Sequence, residues 1–153
     1  MSNFIWFEKT VEYKFVFLAK GLWGIDLLSP LAGNPEVIGD AIVSSNNRYF
    51  IIEFKRNYES ITSEYEKYIG KEKGYDEAAK IMTEKSGWKF HYIIYGGIDT
   101  KSNGFILRFR HYFQSNNISS EQQSAFFTGR MSLSELNEYA QALTAWTNGD
   151  AEA

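Results

Sequence analysis

Three residues raise the question of chemistry. Asp40, Glu53 and Lys55 lie within the run GDAIVSSNNRYFIIEFKRN, residues 39–57. Twelve residues separate Asp40 from Glu53, and one separates Glu53 from Lys55. In an extended strand, alternate side chains face the same way. Tyr49, Ile51, Glu53 and Lys55 of RYFIIEFKR therefore share one face, and Phe50, Ile52 and Phe54 share the other. The second face is wholly apolar and belongs to a core. The first begins apolar and turns ionic. Ser45–Asn47 has turn composition, so Glu36–Ser44 and Arg48–Arg56 read as two strands of one hairpin. Counted from the turn, Asp40 and Glu53 fall almost opposite each other, where Cβ atoms lie ~5 Å apart. Two carboxylates that close repel unless a cation sits between them. Hard oxygen ligands suit Mg²⁺ or Mn²⁺. Lys55 would bring a point charge to a phosphate or to a hydrolytic water. The plainer alternative for Glu53 and Lys55 is an ion pair on a solvated edge strand, worth ~0–1 kcal/mol.

The elements that must position these residues follow from periodicity. Phe4, Phe7, Val11, Phe15 and Leu18 recur at helical spacing, which predicts a helix over 3–20 with Ser2 or Asn3 as its cap. Leu27–Pro35 has the composition of a loop, although the stretch around Trp23–Leu28 leaves room for one more strand. Residues 59–85 read as helix, weakened in the middle by Gly70 and Gly74, hence two helices or one with a bend. Lys89–Ile98 is a buried strand in which Gly96 and Gly97 suggest close backbone approach. Phe105–Phe113 alternates, with Phe105, Leu107 and Phe109 on one side and Arg108 and Arg110 on the other. A last helix starts at Ser132, where Ser132 and Glu135 form a capping box, and its expected apolar stripe is Leu133, Leu136, Ala140, Leu143 and Trp146. The expected order, α-β-β-α-β-β-α, is that of a single α/β domain spanning 1–153.

Asp40, twelve residues, then Glu53-x-Lys55 resembles the signature of the PD-(D/E)XK nucleases, with Gly39 standing where that family places a proline. The resemblance covers roughly Phe4 to Ile98. It implies a restriction-endonuclease-like αβββαβ core, a mixed central sheet flanked by helices, here with an extra C-terminal helix. It also implies a metal-dependent phosphodiester hydrolase acting on nucleic acid, with DNA the expected substrate. Asp40, Glu53 and Lys55 would be catalytic. Asp40, Glu53, the Phe54 backbone carbonyl and a first-helix glutamate, Glu12 in preference to Glu8, would hold Mg²⁺ or Mn²⁺. On the helix after the motif, members often place a further polar residue, for which Tyr65, Lys67 and Lys71 are the candidates.

Composition sets the competing class. The 153 residues include no cysteine, 44% hydrophobic and 17% aromatic residues, with a net charge of −3. Disulfide, thiolate and cysteine–zinc chemistry are excluded. No run reaches the ~18 apolar residues of a membrane span, and the charged N-terminal segment is not a signal peptide, so a cytoplasmic protein is expected. A dedicated non-specific DNA binder is usually basic. Lys67, Lys71, Arg108 and Arg110 are the weak candidates for phosphate contact, and a homodimer or larger complex would be needed to grip a duplex. The acidic balance and aromatic content suit an alternative: a nuclease-fold binding or inhibitor module of phage, mobile-element or defence biology that acts through protein contacts. His91 and His111 read as lone packed or surface residues, and Trp6, Trp23, Trp88 and Trp146 as mostly core.

Overall fold

The computed structural model describes residues 6–23, 27–30, 39–45, 48–114, 118 and 131–147. The proposed Ser2/Asn3 cap, the start of the strand placed at Glu36, the turn residues Asn46 and Asn47, most of the polar loop after Phe113 and the C-terminal tail lie outside them.

A five-stranded mixed sheet is flanked by helices. The elements are α1 (Glu8–Trp23), β1 (Leu27–Pro30), β2 (Ala41–Ser45), β3 (Arg48–Lys55), a 3-10 segment (Glu59–Lys67), α2 (Lys71–Met82), a short 3-10 turn (Gly87–Phe90), β4 (His91–Ile98), β5 (Phe105–His111) and α3 (Leu133–Thr144). The strands lie in chain order across the sheet. β1 to β3 form an antiparallel meander, β4 runs parallel to β3, and β5 is antiparallel to β4. The 3-10 segment and α2 together supply the crossover that a parallel β3–β4 pair requires.

The hairpin register agrees with the count from its turn: Ser45 pairs with Arg48 and Ala41 with Ile52. The chain departs from the expected elements at two places, Leu27–Pro30 and residues 59–67. Leu27–Pro30, expected within a loop, pairs with β2 as an edge strand, and its terminal proline is tolerated because an edge strand has one unpaired side. Residues 59–67 form a 3-10 segment instead of α-helix. Gly70 then adopts φ +88° and Lys71 φ +59°, so no single helix runs through. Gly74 stays in α2 because an added Cβ would meet the Ile69 carbonyl.

The two faces of β3 serve two cores. Phe50, Ile52 and Phe54 pack with Val11 and Phe15 of α1 and Ile94 of β4. Ile51 packs with Ile93, Tyr68, Met82 and Leu143 beneath α2 and α3. The Ser132–Glu135 capping box is formed in both directions. The buried stripe of α3 is Leu136, Tyr139 and Leu143; Leu133 is exposed and Ala140 only half-buried. Trp6, Trp88 and Trp146 are half-buried at the margins of the cores. No helix among the described residues is long and apolar enough to cross a membrane.

Candidate functional site

β3 is the central strand, so Glu53 and Lys55 are not on a solvated edge: they are 3% and 7% exposed. Charges this deep must be paired. The partners come from the 3-10 segment that follows the strand. Lys55 Nζ lies 2.7 Å from Glu64 Oε1 and 3.6 Å from Glu53 Oε2, and donates to Ser63 Oγ at 2.8 Å. Lys67 Nζ lies 2.8 Å from Glu53 Oε1 and 3.0 Å from Glu64 Oε1. Two carboxylates and two ammonium groups thus form a closed ring at the carboxyl end of β3.

Asp40 joins from β2. Its backbone N–H donates to the Ile52 carbonyl at 2.9 Å, and its Oδ2 accepts from the Phe54 amide at 2.7 Å. The carboxylate therefore replaces a ladder partner just past the last regular pair, Ala41–Ile52. The hydrogen bond fixes Oδ2. Of the two first-helix glutamates, Glu12 is engaged by Lys9 at 3.3 Å, whereas Glu8 is the one whose carboxyl senses the site. Although Glu8 is exposed as a whole residue, loss of water around its carboxyl raises its pKa, and the negative charge of Asp40 raises it further.

Glu64 is a member of the ring that was not among the sequence candidates. It is 1% exposed. Its Oε2 accepts from the Tyr112 hydroxyl, and Tyr68 OH donates to Tyr112 OH at 3.0 Å. His91 stacks on the Tyr112 ring at 3.9 Å and 6°. Burial alone would raise the Glu64 pKa, but Lys67, then Lys55, hold it down to about 2. Glu53 goes the opposite way: burial, the Glu64 charge and the Asp40 charge push it well above the ordinary carboxylate range, with Lys67 and Lys55 opposing. Burial by itself would lower the Lys67 pKa, yet Glu53 and Glu64 raise it. One signal in the sequence pointed to Glu64. Ile61, Glu64 and Tyr68 form one stripe at helical spacing, and a charge on an apolar stripe asks for a partner.

The other candidates are placed elsewhere. Arg110, a weak candidate for phosphate contact, is buried, and its guanidinium is taken up by the Tyr75 hydroxyl and the His111 and Tyr112 carbonyls. Arg108 is half-buried and donates to the Ile98 carbonyl at 3.3 Å. Lys71 is exposed and pairs with Glu66. Tyr65 packs on Tyr75. His91 is fully buried against Tyr139, and His111 lies beside Trp88.

Among the described residues, no group of three or more acidic, histidine or cysteine side chains converges in metal-binding geometry. A two-carboxylate set with a backbone carbonyl remains, and Mg²⁺ is commonly held by one or two carboxylates with water completing its shell. No family model, curated protein or solved structure matches the chain.

Proposed function

We propose that the chain is a metal-dependent phosphodiester hydrolase acting on nucleic acid, with DNA the expected substrate. One observation carries the reading: Asp40, locked on the Phe54 amide, lies beside a buried Glu53 and Lys55 on the central strand. The element order α1-β1-β2-β3-α2-β4 supports it, since it follows the αβββαβ core that the D…ExK resemblance implies. Asp40, Glu53 and the Phe54 carbonyl would hold Mg²⁺ or Mn²⁺, with Glu8 nearest among the helix glutamates. That ion supplies Lewis acidity toward a phosphoryl oxygen and an activated water.

The chain's own groups do the rest. Lys55 has three protons, and Glu64 and Ser63 take two of them at short range. The third direction faces Glu53 at the longer 3.6 Å. A phosphate oxygen would displace that weaker contact and receive the ammonium's charge as the transition state develops. Glu64, anchored by Tyr112, holds the Lys55 ammonium in place, so it is a positioning residue. Incubation of single- and double-stranded DNA and RNA with the protein in Mg²⁺ or Mn²⁺ tests the reading. Cutting that Lys55→Ala and Asp40→Ala each reduce at least a hundredfold is expected. The absence of cutting on every substrate would refute it.

A second reading rests on Lys67. Its ammonium on Glu53 Oε1 neutralises the carboxylate without a metal, as suits a nuclease-fold module that binds protein partners. Calorimetric titration separates the two: Mn²⁺ binding lost in Asp40→Ala supports the hydrolase, and no heat in the wild type supports the module.

A further inference from the structure

A second concave site adjoins the ionic ring. At the carboxyl ends of β3 and β4, a 360 Å³ cleft is lined by Trp6, Tyr58, Tyr95, Arg108 and the backbone of Gly96 and Gly97. Ligands of sheets with parallel strands tend to bind in this place, outside the strands' carboxyl ends. Lys55 and Tyr95 are register partners, so they stand on the same face of adjacent strands. The cleft is therefore one strand away from the proposed reacting centre.

Its walls are aromatic and its floor is backbone. Tyr58 is 57% exposed, and its ring lies 6.1 Å from that of Tyr95. The Trp6 indole is fixed by donating to the Arg56 carbonyl and by an edge contact with Phe105. A Cβ on Gly96 would come within 2.4 Å of Trp6 Nε1, and a Cβ on Gly97 within 2.6 Å of Arg108 Nε. Only glycine at both positions lets the indole and the guanidinium close over the floor. Arg108 brings a cation, and Glu59 on the rim an anion.

Among the described residues, the cations nearest the ring are already engaged. Lys55 and Lys67 are engaged by carboxylates, and Arg110 is buried. The whole chain carries −3. At this cleft, affinity for a nucleic acid would come from stacking, which every base permits and which a base inside a duplex cannot offer.

We infer that the Trp6–Tyr58–Tyr95–Arg108 cleft is a stacking site for one unpaired nucleobase, which makes single-stranded nucleic acid the substrate class. The inference rests on the hydrolase reading for the position of the scissile phosphate beside Lys55. The base enters between Tyr58 and Trp6, Arg108 meets its adjoining phosphate, and Glu59 disfavours a second phosphate at the rim.

The test is fluorescence anisotropy in EDTA with a short fluorescein-labelled oligodeoxythymidylate and a labelled duplex of the same length. The single strand is expected to bind at least tenfold tighter than the duplex. Tyr58→Ala and Arg108→Gln should each weaken it about tenfold, in line with the worth of one base–aromatic stack. Because Tyr58 is exposed, its variant should keep the wild-type circular dichroism and melting curve. An abasic site at the stacked position should reproduce the loss in wild type and add nothing in Tyr58→Ala. Equal binding of both probes, wild-type affinity in Tyr58→Ala, or no binding of either probe would overturn the proposal. Cutting that is indifferent to Tyr58→Ala would sink the cleft and spare the hydrolase. Tyr58-dependent binding without cutting in Mg²⁺ or Mn²⁺ would sink the hydrolase and spare the cleft.

Discussion

Glu64 shows what one buried carboxylate does for its neighbours. It contacts both lysines of the ring and accepts from Tyr112. Removing one member of a buried ion pair typically costs 3–5 kcal/mol, because the other charge is left uncompensated. Glu64→Gln should therefore lose a few kcal/mol in urea denaturation at pH 7 and lower any cleavage through Lys55. The pH dependence has a defined sign. A folded pKa of about 2 against the ordinary 4.5 means that Glu64 stabilises the fold above about pH 4.5 and loses this contribution as pH falls toward 2. On the order of 2 kcal/mol should disappear between pH 7 and pH 3 from this group. Glu53, with a raised pKa, contributes in the opposite sense: its ionisation on the way up from acid pH opposes folding. Glu64→Gln should thus show a shallower acid loss than wild type between pH 5 and pH 3. An equal loss in both proteins would show that Glu64 is not the linked group.

At the scale of elements, the break between the 3-10 segment and α2 sets where Glu64 and Lys67 stand. Gly70 at φ +88° ends one element and caps the next. A left-handed conformation costs an L-residue roughly 1–2 kcal/mol. Gly70→Ala should lower stability by about that amount in chemical denaturation, while Gly70→Asn, which tolerates the conformation, should lose less. Gly74→Ala should cost more than either, since its Cβ would lie 1.9 Å from the Ile69 carbonyl oxygen and backbone must shift. An order reversed between Gly70→Ala and Gly74→Ala would contradict this account. Much of this architecture was legible in the sequence. The hairpin, its register and the Ser132 cap follow from local turn and capping chemistry. The 3-10 character of Glu59–Lys67 does not, because it is selected by the need to aim Glu64 and Lys67 back at β3. β1 was also obscure: four residues with a proline carry too little pattern to separate an edge strand from a loop.

For the molecule as a whole, the electrostatics predict how a nucleic acid would be held. Each phosphate contact on a single strand contributes about −0.7 to the slope of log K against log salt. With Arg108 as the main cation at the cleft, the slope should be about −0.7 to −1.4. A slope several times steeper, measured by anisotropy across a salt series, would reveal phosphate contacts well beyond the cleft. The sequence by itself determined the α/β class, the two-faced strand at residues 48–55 and the approach of Asp40 to Glu53, because alternation and turn position are local properties. Tertiary structure alone decided that Glu53 and Lys55 are buried in a central strand, that Arg110 is spent internally and that Glu64 completes the ring. Burial and charge pairing depend on which distant segments meet, and that is settled only when the crossover through the 3-10 segment and α2 closes over the sheet.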